Sequence, residues 1–366
     1  IRFRIGFRGV AVTLVFLRLF LSSYYNSEVN IIMKKITVLL LALFMLVGAL
    51  AGCGKQNDTN QTDKLSIVTT IFPGYDWVRE ILGEKADNAE ITMLLDNGVD
   101  LHSYQPTADD IVKISDCDLF IYVGGESDGW VEDALRNAAN GNMKVINLLE
   151  VLGDSVKTEE IVEGMQEEEH EHEDAHAHDD AEEHEHEEEA DEHVWLSLKN
   201  AKMLVRVISK ALQELDPDNK DIYAANADAY VKKLSALDAE YQAAVDAASN
   251  KTILFGDRFP FRYLVDDYGL RYYAAFVGCS AETEAGFETI SFLAKRVDEL
   301  KLPCVLTIEG AQHKIAETVV RNTTAKNQRV LTMDSMQSTT SKDVKNGTTY
   351  LSVMEKNLSV LKEALR

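Results

Sequence analysis

Six of the nine histidines in this 366-residue chain stand in one short acidic run. From Glu167 to Glu192 there are sixteen acids, six histidines and four alanines, and nothing else. Neutral imidazoles at His170, His172, His176, His178, His184 and His186 are borderline-soft nitrogen donors suited to Zn²⁺, Ni²⁺ or Cu²⁺, and the carboxylates around them concentrate cations. Such a run cannot bury an apolar core, so it is expected to be a mobile loop and an auxiliary, low-affinity metal collector or sensor. The alternative is a merely solvated acidic segment. Within the run, His172-Glu173-Asp174-Ala175-His176 matches HExxH literally. That motif works only on a helix held against a structured cleft, with a third ligand from elsewhere. Here the neighbours are nearly all acids and no apolar stripe would anchor a helix, so the match is taken as coincidence. The four cysteines, Cys53, Cys117, Cys279 and Cys304, include no CxxC pair, which points to neither a disulfide-dense scaffold nor a thiolate zinc site. A Cys279 to Cys304 bridge stays open.

The segments that must position this chemistry begin with a leader. Met33-Lys34-Lys35 supplies a positive n-region and Ile36 to Val47 an apolar core of signal-peptide length, too short for a comfortable membrane span. Leu50-Ala51-Gly52-Cys53 follows and resembles the lipobox where bacterial prolipoproteins are cut and acylated. Residues 33–52 are therefore expected to be a lipoprotein signal peptide, Cys53 the lipid anchor and residues 53–64 a polar tether. Residues 1–32 look like an upstream extension of the reading frame. Cleavage before Cys53 would leave 314 residues, enough for two domains, carrying a formal charge of −29 against −24 for the whole chain. Nucleic acid is not expected to bind such a surface.

Beyond residue 64, short apolar runs alternate with amphipathic stretches, the pattern of repeated β-α units. Strands are expected at Leu65 to Thr70, Glu90 to Leu95, Leu119 to Val123 and Lys144 to Leu148, with helices at Tyr75 to Leu82 and Trp130 to Ala139. Ser197 reads as the N-cap of a helix over Lys199 to Leu215, ended by Asp216-Pro217. A long helix follows over Asn219 to Ala248, uninterrupted by Gly or Pro. Strands are then expected at Thr252 to Phe255, Arg271 to Phe276, Cys304 to Ile308 and Arg329 to Thr332, and helices at Ser291 to Leu300, Ile315 to Thr323 and Leu351 to Leu365. The fold class is α/β. The division is an N-terminal lobe over 65–217, including the acidic loop 167–192, a linking helix over 218–249 and a C-terminal lobe over 250–366.

Three blocks in order give this arrangement a family likeness. Leu101-His102-Ser103-Tyr104-Gln105-Pro106-Thr107 is similar to a His-x-Tyr-x-Pro loop, and Asp191-Glu192-His193-Val194-Trp195-Leu196 to an Asp-Pro-His-x-Trp block. The third is Asp216-Pro217-Asp218-Asn219-Lys220 through Tyr223, Asn226 and Tyr230. Together they resemble the zinc- and manganese-specific solute-binding lipoproteins of ABC importers, the zinc-uptake or adhesin lipoproteins of cluster A-I. The resemblance covers Leu65 to Arg366. It implies two Rossmann-like α/β lobes joined by one long rigid helix, a metal site in the interlobe cleft, and limited hinge motion.

The resemblance also implies the ligands. His102 lies in the loop after a strand, at the carboxyl end of a sheet, and His193 sits beside Trp195, which would pack against it. Asp257 stands where the family usually has His or Glu, although Arg258 or Arg262 could instead pair with it. Asp334 follows the last strand, and Glu309 is a weaker substitute. Two imidazoles and two carboxylates suit Zn²⁺ and, with bidentate carboxylates, Mn²⁺. The function implied is a monomeric extracytoplasmic protein, held to the bacterial membrane by lipid, that captures Zn²⁺ (alternatively Mn²⁺) as transported ligand and delivers it to an ABC permease. On this reading Asp257 and Asp334 meet His102 and His193 as the cleft closes. Competing readings are an exported metal-dependent hydrolase, for which GxSxG, P-loop and GxGxxG patterns are missing and no water position is left open, and an adhesin with structural metal.

Overall fold

The computed structural model describes residues 64–166, 189–280, 284–310 and 313–366. The leader, Cys53 and the six histidines of the acidic run lie outside the described residues. Four parallel strands form the first sheet: β1 (Leu65–Thr69), β2 (Ala89–Met93), β3 (Leu119–Tyr122) and β4 (Lys144–Asn147), in the order β2-β1-β3-β4. Ile67 stands opposite both Ile91 and Leu119, as a strand buried on both sides requires. Helices α1 (Phe72–Leu82), α2 (Ala108–Asp116), α3 (Val131–Arg136) and α4 (Leu148–Leu152) connect and flank these strands. Thr107 begins α2 with a capping box closed by Asp110.

Helix α5 (Leu198–Leu215) starts where its sequence says, with the Ser197 hydroxyl accepting from Asn200 N at 3.0 Å. The 28-residue α6 (Lys220–Ala247) follows, about 42 Å long at 1.5 Å per residue. Its buried face, Tyr223, Ala227, Tyr230, Val231, Leu234, Leu237, Tyr241 and Val245, is one stripe of helical spacing. The turn before it is tied by Asp216, which accepts from Tyr223 Oη at 2.6 Å and Asn219 Nδ2 at 2.7 Å. From α6, Asn226 Nδ2 reaches the Ile81 carbonyl at 2.9 Å and satisfies the end of α1. Gly83 makes room for that amide: its φ is +55°, and a Cβ there would strike Asn226 Nδ2.

The second half holds β5 (Thr252–Leu254), β6 (Arg258–Phe259), α7 (Arg262–Tyr268), β7 (Arg271–Tyr273), β8 (Phe276–Val277), α8 (Phe287–Leu300), β9 (Cys304–Thr307), α9 (Lys314–Asn322), β10 (Arg329–Thr332), α10 (Ser341–Lys345) and α11 (Tyr350–Ala364). A parallel bridge between Phe255 and Leu306 links the β5-β7 and β9-β10 pairs, giving the order β10-β9-β5-β7. The single strand expected over Arg271 to Phe276 is two. Tyr273 ends the pairing with β5, Ala275 N donates to the Asp257 carbonyl at 3.1 Å, and Phe276 then pairs with Arg258. The step re-aims the chain just before Gly278 and Cys279.

One apolar cluster runs from Ile67 through α5 and α6 to Leu365, and a smaller one lies between β5, β9, α8 and α9. Helix α11 crosses back to α1. The Asp76 carboxylate accepts from Tyr350 N at 2.9 Å, the Tyr350 ring meets Trp77 edge-on at 5.2 Å, and Tyr350 Oη donates to the Trp195 carbonyl at 2.6 Å. Burial pushes the Asp76 carboxyl up to about 6, and the nearby Glu80 charge adds to the rise, against the lowering effect of the Tyr350 N–H. Because the folded-state value lies above the unfolded one, the ionised group destabilises the fold fully above pH 6 and not at all below pH 4. Asp76→Asn keeps the acceptor and removes the buried charge. It should raise the unfolding free energy at pH 8 by on the order of 2 kcal/mol. Denaturant titrations at pH 8 and pH 4 check this; the gain should vanish at pH 4.

Candidate metal centre

His102 sits in a short 3₁₀ turn, Leu101–Ser103, in the connection that leaves the carboxyl end of β2. Asp100 caps that turn by accepting from His102 N at 3.1 Å. The imidazole Nδ1 lies 2.8 Å from Ser127 Oγ and 3.4 Å from Glu192 Oε2. Ser127 belongs to the loop after β3, so His102 and Ser127 both stand at the carboxyl end of the first sheet, where open α/β folds bind ligands. Ser127 N in turn donates to Glu192 Oε1 at 2.9 Å. Gly125, at φ +80°, leaves room for the Glu192 carboxylate, which a Cβ would overlap.

His193 is wholly buried. Its backbone N–H and its Nδ1 both face Asp191 Oδ1, at 2.8 and 3.1 Å. Trp195 packs 5.4 Å from the imidazole and fixes itself to the other half of the chain by donating Nε1–H to the Ser335 carbonyl at 2.8 Å. The residues before His193 are not solvated, as the composition of the acidic run leads one to expect for all of it. Asp191 and Glu192 are buried, and the backbone from Glu189 to Asp191 pairs with Lys157 to Glu159.

The structure brings His102 and His193 together, with their Nε2 atoms 3.2 Å apart. Since each Nδ1 faces a carboxylate or hydroxyl, the Nδ1–H tautomer is favoured on both rings and both Nε2 lone pairs point to the same place. Two nitrogen ligands on one tetrahedral zinc stand ~3.3 Å apart, given Zn–N bonds of about 2.0–2.1 Å. The pair is therefore spaced for one ion. Burial, then the charge of His193, lowers His102 to about 3. Burial also opposes a proton on His193, but Asp191, Glu159 and Asp100 outweigh it and hold His193 above its ordinary value. One proton, on His193, can thus bridge the two Nε2 atoms in place of a metal.

Cys279 completes this group. Its Sγ and the two imidazole nitrogens all lie within 4.8 Å of one another, the only such set of three among the described His, Cys, Asp and Glu residues. It is a free thiol, as are Cys117 and Cys304, so no bridge joins Cys279 to Cys304. Burial and the Glu159 carboxylate push the thiol up. Cys279 N donates to Glu159 Oε1 at 2.9 Å, and Gly278 lies flat against His193, where a Cβ would come within 3.0 Å of Cε1. The sequence carries no signal for this cysteine beyond its presence, because no second cysteine stands at ligand spacing. Gln337 also faces the group. With its amide turned to donate to both Asp100 oxygens, at 3.0 and 3.1 Å, its Oε1 lies 3.2 Å from His193 Nε2.

Asp257 and Asp334 are not brought into this group. Asp257 Oδ2 accepts from Thr307 Oγ1 and from Ile308 N at 3.3 Å, and Oδ1 from Arg258 N at 2.9 Å, so the carboxylate ties β5 to β9. Neither arginine pairs with it: Arg258 binds Asp100 at 2.6 Å, and Arg262 binds Glu160 and Asp266. Asp334 Oδ1 accepts from Met336 N at 2.8 Å, shaping its own turn. Glu309, raised by burial and by Asp334, accepts from Ser335 N, Ser335 Oγ and Gln337 N at 2.6, 2.7 and 3.0 Å and holds the loop that carries Gln337.

The parallel sheets and the paired imidazoles define a two-part α/β protein with a site suited to a metal ion. The chain belongs to the family described as zinc-uptake complex component A, periplasmic, whose model matches residues 67–364. It is 33% identical over 331 residues to the zinc-binding lipoprotein AdcA of Streptococcus pneumoniae serotype 4, covering 90% of this chain and 61% of that protein. It is 32% identical over 328 residues to the high-affinity zinc uptake system protein ZnuA of Bacillus subtilis, covering 88% of this chain and 95% of that one. Thus the chain spans about three fifths of the length of the pneumococcal lipoprotein. Among solved structures, the Zn(II)-bound ZnuA-like domain of S. pneumoniae AdcA superposes with a TM-score of 0.62 at 29% identity, covering 82% of this chain and 99% of that domain. The family is one of solute-binding proteins rather than enzymes.

Were zinc to enter between the two imidazoles, a proton on His193 would have to leave first. Zinc affinity should therefore lose a further factor of about ten per pH unit once pH falls below the raised His193 value. Chelator competition from pH 8 to pH 5 checks this. Asp191→Asn should move the break to lower pH and weaken binding at pH 8 by about 10-fold.

Proposed function

We propose that this protein captures Zn²⁺ outside the cytoplasm, between His102 and His193, and delivers it to the membrane permease of an ABC importer. The observation that carries the reading is the 3.2 Å approach of two imidazole Nε2 atoms, each ring oriented by a carboxylate or hydroxyl on its other nitrogen. Membership of the zinc-uptake family and the zinc-bound state of the pneumococcal domain support zinc as the cargo. Nitrogen donors favour zinc over manganese, the alternative cargo. Asp257 and Asp334 serve in this reading as loop anchors rather than ligands, because Asp257 is bonded to Thr307, Ile308 and Arg258, one Asp334 oxygen accepts from Met336, and neither stands in the group with the two histidines.

Acylation of Cys53 would hold the protein at the membrane, and the six histidines of the acidic run would act as a weak collector upstream of the tight site. Since Asp191 and Glu192 are buried beside His193, the collector role is assigned to residues 167–188. A hydrolase reading is not favoured by the geometry: Ser127 Oγ lies 2.8 Å from His102 Nδ1, but that contact orients a ring whose other nitrogen faces the buried His193.

His102→Ala combined with His193→Ala should abolish tight zinc binding while leaving the circular dichroism spectrum unchanged. Chelator competition on the purified full chain in detergent measures the loss, and retained tight binding would overturn the assignment. Deleting residues 167–188 should remove weak ions but keep one tight zinc. Elemental analysis before and after the deletion reads both numbers, and equal stoichiometry would remove the collector role.

A further inference from the structure

We infer that Cys279 is the third protein ligand of the zinc, so that the ion is held by two imidazole nitrogens and one thiolate sulfur. This inference rests on the reading that zinc is bound at His102 and His193. Its first support is position: Sγ is within 4.8 Å of a ring nitrogen of each histidine. On a tetrahedral zinc, sulfur and nitrogen ligands stand ~3.6 Å apart, given Zn–S of about 2.3 Å and Zn–N of about 2.0–2.1 Å. Closing on the ion therefore needs a movement of roughly 1 Å, within reach of a side-chain rotation.

The loop around Cys279 is built to present it. The step from β7 to β8 turns the chain toward the first half of the molecule. Gly278 lets the backbone approach the His193 ring where any side chain would press on Cε1 and on the Phe259 carbonyl. On one side of Cys279 its own N–H is fixed by Glu159, and on the other the Ser280 carbonyl accepts from Arg258 Nη1 at 3.2 Å. Arg258 also grips Asp100, the cap of the His102 turn, at 2.6 Å. One guanidinium thus ties the cysteine loop to the histidine loop, so the two halves of the site are held in register. No disulfide uses the thiol, and the two carboxylates that would otherwise complete the shell are engaged elsewhere.

The chemistry balances simply. The S–H bond breaks as the Zn–S bond forms, and the proton leaves to solvent. The neutral thiol becomes an anion that offsets one of the two charges of the cation. The nearest remaining donor is the Gln337 carboxamide oxygen, 3.2 Å from His193 Nε2, which is the spacing of a fourth ligand. A shell of two nitrogens, a sulfur and an amide oxygen favours zinc and is poorly suited to manganese, which prefers carboxylate, carbonyl and water oxygens.

Zinc-edge X-ray absorption on the zinc-loaded full chain tests the assignment directly, with no variant needed. One sulfur at about 2.3 Å beside nitrogen and oxygen neighbours is the expected result. Cobalt in place of zinc should show a sulfur-to-cobalt charge-transfer band that is lost in Cys279→Ala. That variant should bind zinc more weakly by more than the roughly 10–100-fold typical of losing an outer-shell partner. A tightly bound zinc with only nitrogen and oxygen neighbours, and an unchanged affinity in Cys279→Ala, would overturn the thiolate ligand while leaving zinc capture intact. Absence of tight zinc from the unaltered chain would overturn both.

Discussion

Two imidazole nitrogens 3.2 Å apart, one on the buried His193 and one on the partly buried His102, with their lone pairs turned toward each other, are the constraint around which this molecule is organised. Left alone, such a pair is unfavourable, since two acceptors face one another in a place with little water. It is tolerable only with a cation between them, and both a proton and a divalent metal qualify. The surrounding structure supplies what such a cation needs. Asp191 and Glu192 hold the far nitrogens, Asp100 caps the His102 turn, and Glu159 stands behind Cys279. Among the described residues Arg258 is the one guanidinium bonded into this ring of acids, and it serves as a tie between the Asp100 and Ser280 loops.

That arrangement draws on both halves of the chain, and the fold keeps them in step. His102, Ser127 and His193 come from the first half, Cys279 and Gln337 from the second. Trp195 donates to Ser335, Tyr263 Oη donates to the Asp191 carbonyl at 2.8 Å, and α11 rests on α1 through Asp76 and Trp77. These links pass directly beside the site rather than around it. Helix α6 carries no ligand; its tyrosines and leucines form a rigid wall on which α1, α5 and α11 pack, which limits how far the loops can drift.

Much of the frame was legible before any coordinates. Continuous apolar runs such as Leu119 to Tyr122 can only be buried strands, and α5 begins at Ser197 and ends at Asp216-Pro217 because capping and proline chemistry are local. His102 and His193 were legible through the motifs that contain them. From sequence, Asp257 and Asp334 are expected beside the histidines, but Thr307 is fifty residues from Asp257, and no local pattern reveals that its hydroxyl claims the oxygen. Cys279 was invisible for the same reason. A single cysteine after Gly278 has no periodicity, and only the split of one expected strand into β7 and β8 turns it toward His193.

The replacement of oxygen donors by sulfur bears on which ion the site prefers. Two imidazoles with two carboxylates form a shell that zinc and manganese can share, since bidentate oxygens expand to the higher coordination number manganese favours. Two imidazoles with a thiolate do not expand in that way, and sulfur binds the harder ion poorly. A site lined by acids attracts every divalent cation alike, so the carboxylates at Asp100, Glu159, Asp191 and Glu192 set the rate and strength of attraction without choosing among ions. Choice falls to the atoms that touch the metal. Because the acids here sit one hydrogen bond behind the imidazoles and the cysteine, attraction and selection are assigned to different residues.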